Sequence, residues 1–195
     1  MSKILYIVDN NKNSNYKYNI EEDTIIYHFS INSSSDVKIN LMVPGVQLYY
    51  YYNNINYDDN RFRIEIKHSV SDTHSEVFNH GVNVYSNKLT YDVSGIVPKS
   101  SEKCICNQEN QIINMENGKS TICPNLLIDN YDVISNHAAY IGKFKDEILF
   151  YMMSRGIRED EAIKLMIKGI IFADLVIDDE ERERILKVID DTYHF

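Results

Sequence analysis

The chain has 195 residues, of which 44% are hydrophobic and 25% charged, a balance that excludes extensive disorder and predicts a folded domain with its own core. A formal net charge of -9, with basic residues only in isolated pairs, makes nucleic acid an unsuitable partner. Three cysteines, Cys104, Cys106 and Cys123, lack zinc-type spacing and a disulfide pattern, which predicts reduced thiols in a cytoplasmic protein. The 15 tyrosines without a tryptophan, and the many asparagines of the first two thirds, read as coding bias.

At the N-terminus the apolar run from Ile4 to Val8 is too short for a signal-peptide core or a membrane span, and no later segment reaches spanning length. Across residues 25–133 apolar side chains recur at every second position in short runs separated by Asn, Asp, Ser and Gly, the pattern of strands. Ile25, Tyr27, Phe29 and Ile31 are expected on one face. The same holds for Val37, Ile39, Leu41 and Val43, for Phe62, Ile64 and Ile66, and for Leu89, Tyr91 and Val93. No strict repeat period is visible. Asn117-Gly118 is the sole Asn-Gly pair, which disfavours a hairpin meander but leaves sandwich, barrel and stacked parallel helix open.

After Gly142 the apolar spacing changes to three and four residues, so the chain is expected to divide into a β-rich body, 1–142, and a helical subdomain, 143–195. Phe144, Ile148, Leu149 and Met152 form the first stripe. Gly156 then reads as a left-handed helix terminus with Ile157 folding back toward Met152. A second helix is predicted over residues 159–175, with Ile163, Met166, Ile167, Ile170 and Ile171 on one face and an acidic first turn. Asp178 and Glu181 have capping-box spacing, which places a third helix over 179–190 with Ile185, Leu186 and Ile189 inward.

Pro124, Leu126, Ile128, Asp132 and Val133, followed by Ser135, His137, Ala138 and Gly142, resemble the signature of the SufB/SufD family. The likeness continues through Leu149-Phe150-Tyr151 and Arg155-Gly156-Ile157, and more weakly upstream in residues 94–97 and 108–113. Nothing before about Val70 carries it. The resemblance implies a right-handed parallel β-helix, shorter than is usual in the family, followed by a small helical subdomain. It also implies a non-enzymatic scaffold for iron–sulfur cluster assembly in the cytoplasm, paired with a second copy or a SufB-like paralogue. Its helices would dock a SufC-like ABC-type ATPase, for which Leu149, Phe150, Arg155, Gly156 and Ile157 are the candidate contacts.

Iron–sulfur chemistry calls for thiolates, at times with imidazole. A transient cluster could therefore engage His137, the one functional position of the family that is retained, together with Cys106 and Cys104, which share one strand face. The same two cysteines also suit a core. The family's cysteine before this histidine is Ser135 here, and its glutamate after it is Ala138. These departures favour the alternative of a structural or regulatory paralogue without cluster chemistry. His28, His68, His74, His80 and His194 are expected at the surface or in loops, with His74, Glu76 and His80 a weak metal pattern.

Overall fold

The computed structural model describes residues 2–173, 175 and 177–192. Eleven strands precede three helices, and the chain divides into two compact units, Met1–Gly142 and Lys143–Phe195. Strands β1 (Lys3–Asn10), β3 (Thr24–Ile31), β5 (Gln47–Asn56), β7 (His74–Asn83), β9 (Cys104–Asn114) and β11 (Val133–Gly142) form one sheet in that order. Strands β2 (Ser14–Ile20), β4 (Ser35–Leu41), β6 (Asn60–His68), β8 (Lys88–Val97) and β10 (Lys119–Ile128) form the other. Every pairing is parallel. The first unit is thus a parallel β-solenoid, in which the chain passes from one sheet to the other through short arcs. Hairpin turns have no place in such a path. Asn11, Asn32 and Asp72 take positive φ in these arcs, the conformation that Asn and Asp tolerate best among residues with a side chain.

The missing repeat period has a geometric cause. Lys3 pairs with Thr24, Thr24 with Leu48, Gln47 with His74, His74 with Ile105 and Cys104 with Val133, so the coils differ in length and no fixed spacing recurs. The strands also begin earlier than alternation alone suggests. The run from Ile4 to Val8 lies in β1, and Tyr16, Tyr18 and Ile20 alternate with polar residues in β2.

Within the body, Leu48, Tyr50 and Tyr52 of β5 meet Phe62, Ile64 and Ile66 of β6 and Leu89, Tyr91 and Val93 of β8, all fully buried or nearly so. The Tyr52 and Phe62 rings stack with centroids 3.5 Å apart. The expected faces of β4, β6 and β8 are the core faces, except that Val43 lies beyond its strand and is exposed. In β3 the phase differs. Ile26 and His28 point into the core, whereas Tyr27 belongs to a column on the other face with Tyr6, Tyr51 and Phe78, at centroid separations of 5.6, 5.2 and 5.1 Å.

Parallel in-register pairing brings each residue beside its counterpart in the next coil, so identical side chains form ladders. Asn56, Asn83 and Asn114 are register partners, and their amides bond in sequence at 3.0 and 3.2 Å. Asn83 also donates to the Asn87 carbonyl and accepts from the Asn87 amide. Tyrosine and asparagine, which composition alone suggested were coding bias, therefore carry structure at these positions.

In the second unit, α1 (Asp146–Ser154) ends as expected. Gly156 has φ +87°, its N–H bonds the Met153 carbonyl at 2.9 Å, and the Ile157 N–H reaches back to Met152 at 3.3 Å, which is the two-bond Schellman closure. Helix α2 (Glu159–Ile171) stops four residues before the expected end and buries Ala162, Ile167 and Ile171. Helix α3 (Asp179–Thr192) is capped by Asp178, whose carboxylate accepts from the Glu181 N–H at 2.8 Å. The Glu181 carboxylate binds Arg184. Ile185 is buried and Leu186 half-buried, while the side chain of Ile189 lies outside the described residues.

The asparagine ladder predicts an asymmetric mutational response. Asn83→Ala removes the central link of the ladder, leaving the Asn56 amide with the Asp58 carbonyl and the Asn114 oxygen with Ser120, and should lower the unfolding free energy by about 1–3 kcal/mol, whereas Asn15→Ala at an exposed position should change it by less than about 0.5 kcal/mol. Urea denaturation of the two variants distinguishes these outcomes.

Candidate functional site

Strands β9, β10 and β11 bring the expected cluster ligands to the C-terminal coil. Register pairs Cys104 with Val133, Cys106 with Ser135 and Gln108 with His137. Since in-register parallel partners point the same way, Cys104, Cys106 and His137 lie on one face of the sheet. Their environments differ sharply. Cys104 and Cys106 are buried with Val97, against Leu126, Ile128 and Val133, whereas His137 is exposed on a strand that pairs on one edge only.

The interior pocket of Cys106 is tight. A Cβ added at Gly95 would sit 2.4 Å from the Cys106 sulfur, so glycine there admits the thiol. Burial pushes the Cys106 thiol up to about 11, against the pull of a hydrogen bond with Ser75, and at neutral pH it is a neutral thiol, not a nucleophilic thiolate. Cys104 bonds through sulfur to the Val70 and Glu102 carbonyls at 3.6 and 3.5 Å and lies 3.4 Å from the Thr73 hydroxyl. Cys123 is the exposed thiol, on β10. Among the described residues no three His, Cys, Asp or Glu side chains converge to hold a metal ion. His74, Glu76 and His80 do not form such a group, and His74 bonds Glu76 at 2.7 Å.

Sequence reasoning missed the interior histidines. His28 and His68, expected at the surface, are buried in the solenoid, and His80 is buried as well; His194 lies outside the described residues. His28 contacts Asp9 at 3.0 Å and Tyr50 at 2.7 Å through its two ring nitrogens. Burial drives His28 below its ordinary value despite Asp9. Burial also raises Asp9, but hydrogen bonds from His28, Tyr16 and Lys12 outweigh it and hold that carboxyl below the usual range. His68 spans Thr73 at 2.8 Å and Ser75 at 2.9 Å, and burial, with the neighbouring His74, takes it down to about 4. The signal was available in part, because His28 keeps the inward phase of Ile26 and His68 that of Ile64 and Ile66.

The candidate docking residues divide. Phe150 is 73% exposed and Tyr151 59%, with the Arg155 guanidinium 5.2 Å over the Tyr151 ring. Leu149 and Ile157 are half-buried, and Gly156 shapes the turn between them. Phe150, Tyr151 and Arg155 therefore form the accessible part of this helix end.

Comparison with known proteins gives an independent reading. A family profile described as the SufBD core domain of SUF system FeS cluster assembly matches residues 15–170, which extends the likeness well upstream of Val70. The iron–sulfur cluster assembly protein SufD of Bacillus subtilis is 32% identical over 111 residues, 56% of this chain and 25% of that protein. SufB of the same organism is 33% identical over 107 residues, 53% of this chain and 23% of that protein. A SufBD family protein of Pyrococcus horikoshii is 47% identical over 45 residues, covering 23% of this chain and 10% of that protein. The matched segment is thus a quarter or less of these relatives' own length.

Two measurements test this chemistry. Under native conditions Cys123 should react with a thiol reagent at once, with Cys104 and Cys106 reacting only as the chain unfolds; rapid modification of all three would refute the burial of the two interior thiols. For His68 the folded value of about 4 lies below its ordinary 6.5, so its contribution to stability is present above about pH 6.5 and is lost as pH falls toward 4. Unfolding free energy should decline through that window by at most about 1.4 kcal/mol per pH unit from this group, and His68→Asn should flatten the decline.

Proposed function

The chain belongs to the SufBD core-domain family of the SUF system, and from that we propose that it is a non-enzymatic scaffold on which iron–sulfur clusters are assembled in the cytoplasm. The observation that carries the reading is the placement of His137. It is exposed on the last strand of the solenoid, where its imidazole can take an iron of the nascent cluster as cargo. Cys106, one register step away on the same face, is the thiol nearest to hand and Cys104 the reserve, both needing the end of the solenoid to open. One chain therefore offers too few accessible ligands for a cluster. The remainder would come from a second copy or a SufB-like paralogue paired along β11, whose free edge is a template for another chain.

The helical unit would recruit a SufC-like ABC-type ATPase through Phe150, Tyr151 and Arg155, with Leu149, Gly156 and Ile157 holding that helix end in shape. ATP hydrolysis on the partner then supplies the work of opening. A second reading has its own support: both interior thiols are buried, and Ser135 and Ala138 stand where the family has cysteine and glutamate. On that reading the chain is a structural or regulatory paralogue that pairs without handling iron.

Anaerobic reconstitution with iron and sulfide, alone and with a SufC-like ATPase, separates the two. The scaffold reading predicts visible absorbance from bound cluster, most of it lost in His137→Ala and reduced in Cys106→Ser with unchanged circular dichroism. Absence of bound iron in the wild-type protein under both conditions would leave the paralogue reading.

A further inference from the structure

The solenoid sorts its charges between its two sheets. Unit 1 contains eleven Lys and Arg residues, and seven of them lie on the strands of the five-stranded sheet, against three acidic residues. The six-stranded sheet carries one basic and three acidic residues on its strands. A chain with a net charge of -9 therefore presents one sheet whose strands sum to a positive charge. Lys17, Lys38, Arg61, Arg63, Lys67, Lys88 and Lys119 are all exposed there. The sequence spreads these residues over about a hundred positions, and only the parallel register gathers them on neighbouring strands.

Register makes the arrangement costly for the isolated chain. Lys17 lies opposite Lys38 and Lys88 opposite Lys119, like-charge pairs of the kind that destabilise a sheet. Arg61 and Arg63 are balanced by Asp92 and Asp36, but among the described residues none of these five lysines is in an ion pair. The fold does not require lysine at these outward positions, where any polar residue would serve. At the edge of the face a pocket of about 270 Å³ is lined by Arg61, Arg63, Ser34, Asn15 and Asp36.

We propose that the outer face of the five-stranded sheet is a docking surface for the acidic surface of a partner protein. The chemistry of the face selects that occupant over other polyanions. Asp36, Glu65 and Asp92 interrupt the basic rows and would oppose a continuous phosphate backbone, and the outward residues of these strands include no aromatic ring on which a base could stack. Interspersed charges of both signs are what discrete, oriented protein–protein pairs need. This surface shares no residue with the cluster ligands or the candidate ATPase contacts, so it does not depend on the cluster reading.

The test uses the full chain and a fluorescent peptide of about 20 residues alternating Glu and Ser, with single-stranded DNA and phosphatidylglycerol vesicles as comparators. The peptide should bind at low salt and weaken about tenfold or more between about 50 and 200 mM salt. Lys17→Gln with Lys38→Gln should weaken binding about tenfold without lowering the melting temperature, since a repulsive pair is removed. Lys3→Gln with Lys99→Gln, an equal change of charge off this sheet, should leave binding unchanged. Equal losses in the two double variants, no binding by the wild type, or tighter binding of DNA or vesicles than of the peptide would each overturn the proposal.

Discussion

Each strand of the solenoid lies parallel to the strand two before it, residue beside counterpart, and that register governs what every side chain meets. Where the counterpart is alike, the pairing becomes a ladder: amide on amide from Asn56 through Asn83 to Asn114, ring on ring from Tyr6 to Phe78. Where a polar group faces inward, the neighbouring coils must supply its partners, as Thr73 and Ser75 do for His68. The interior tolerates His28 and His68 because both ring nitrogens of each are hydrogen-bonded, where an unpaired polar group would forfeit roughly 1–3 kcal/mol. On the outer face the same rule stacks lysine on lysine.

Register also explains why the cysteines and His137, all on one face, have opposite characters. A residue on β9 has strands on both edges, while β11 has one neighbour in its sheet. Coverage by the last coil keeps Cys104 and Cys106 dry and Cys106 protonated, and its end leaves His137 in water. Of the three thiols, Cys104 and Cys106 are thus shielded from solvent while Cys123 is exposed. On the scaffold function proposed above, a single chain is an incomplete ligand set, which would make pairing part of the chemistry and not merely of the architecture.

Much of this was legible in the sequence because it is local. Alternation in Val37, Ile39 and Leu41 or Phe62, Ile64 and Ile66 fixes strands and their buried face, and Gly156 and Asp178 announce helix ends through backbone chemistry that spans only a few residues. What escaped is what depends on distant residues. In β3 both faces are largely buried, so apolar Tyr27 and Phe29 looked like the core face while His28 occupied it. His68 read as a surface residue although its hydroxyl partners, Thr73 and Ser75, follow within seven residues, because nothing in the local pattern says that the chain turns to bring them onto the ring. The charge sorting was invisible for the same reason: isolated basic residues become one face only when strands of unequal spacing are laid side by side. The resemblance around His137 pointed to the right family, yet it could not tell that the cysteines beside it are sealed in the core.

Native mass spectrometry of anaerobically reconstituted protein, titrated with its pairing partner, tests most directly whether the cluster is held between chains. The scaffold account predicts iron and sulfide mass only on species of two or more chains, with the 22.8 kDa monomer free of metal. A complete cluster carried by the monomer would contradict it.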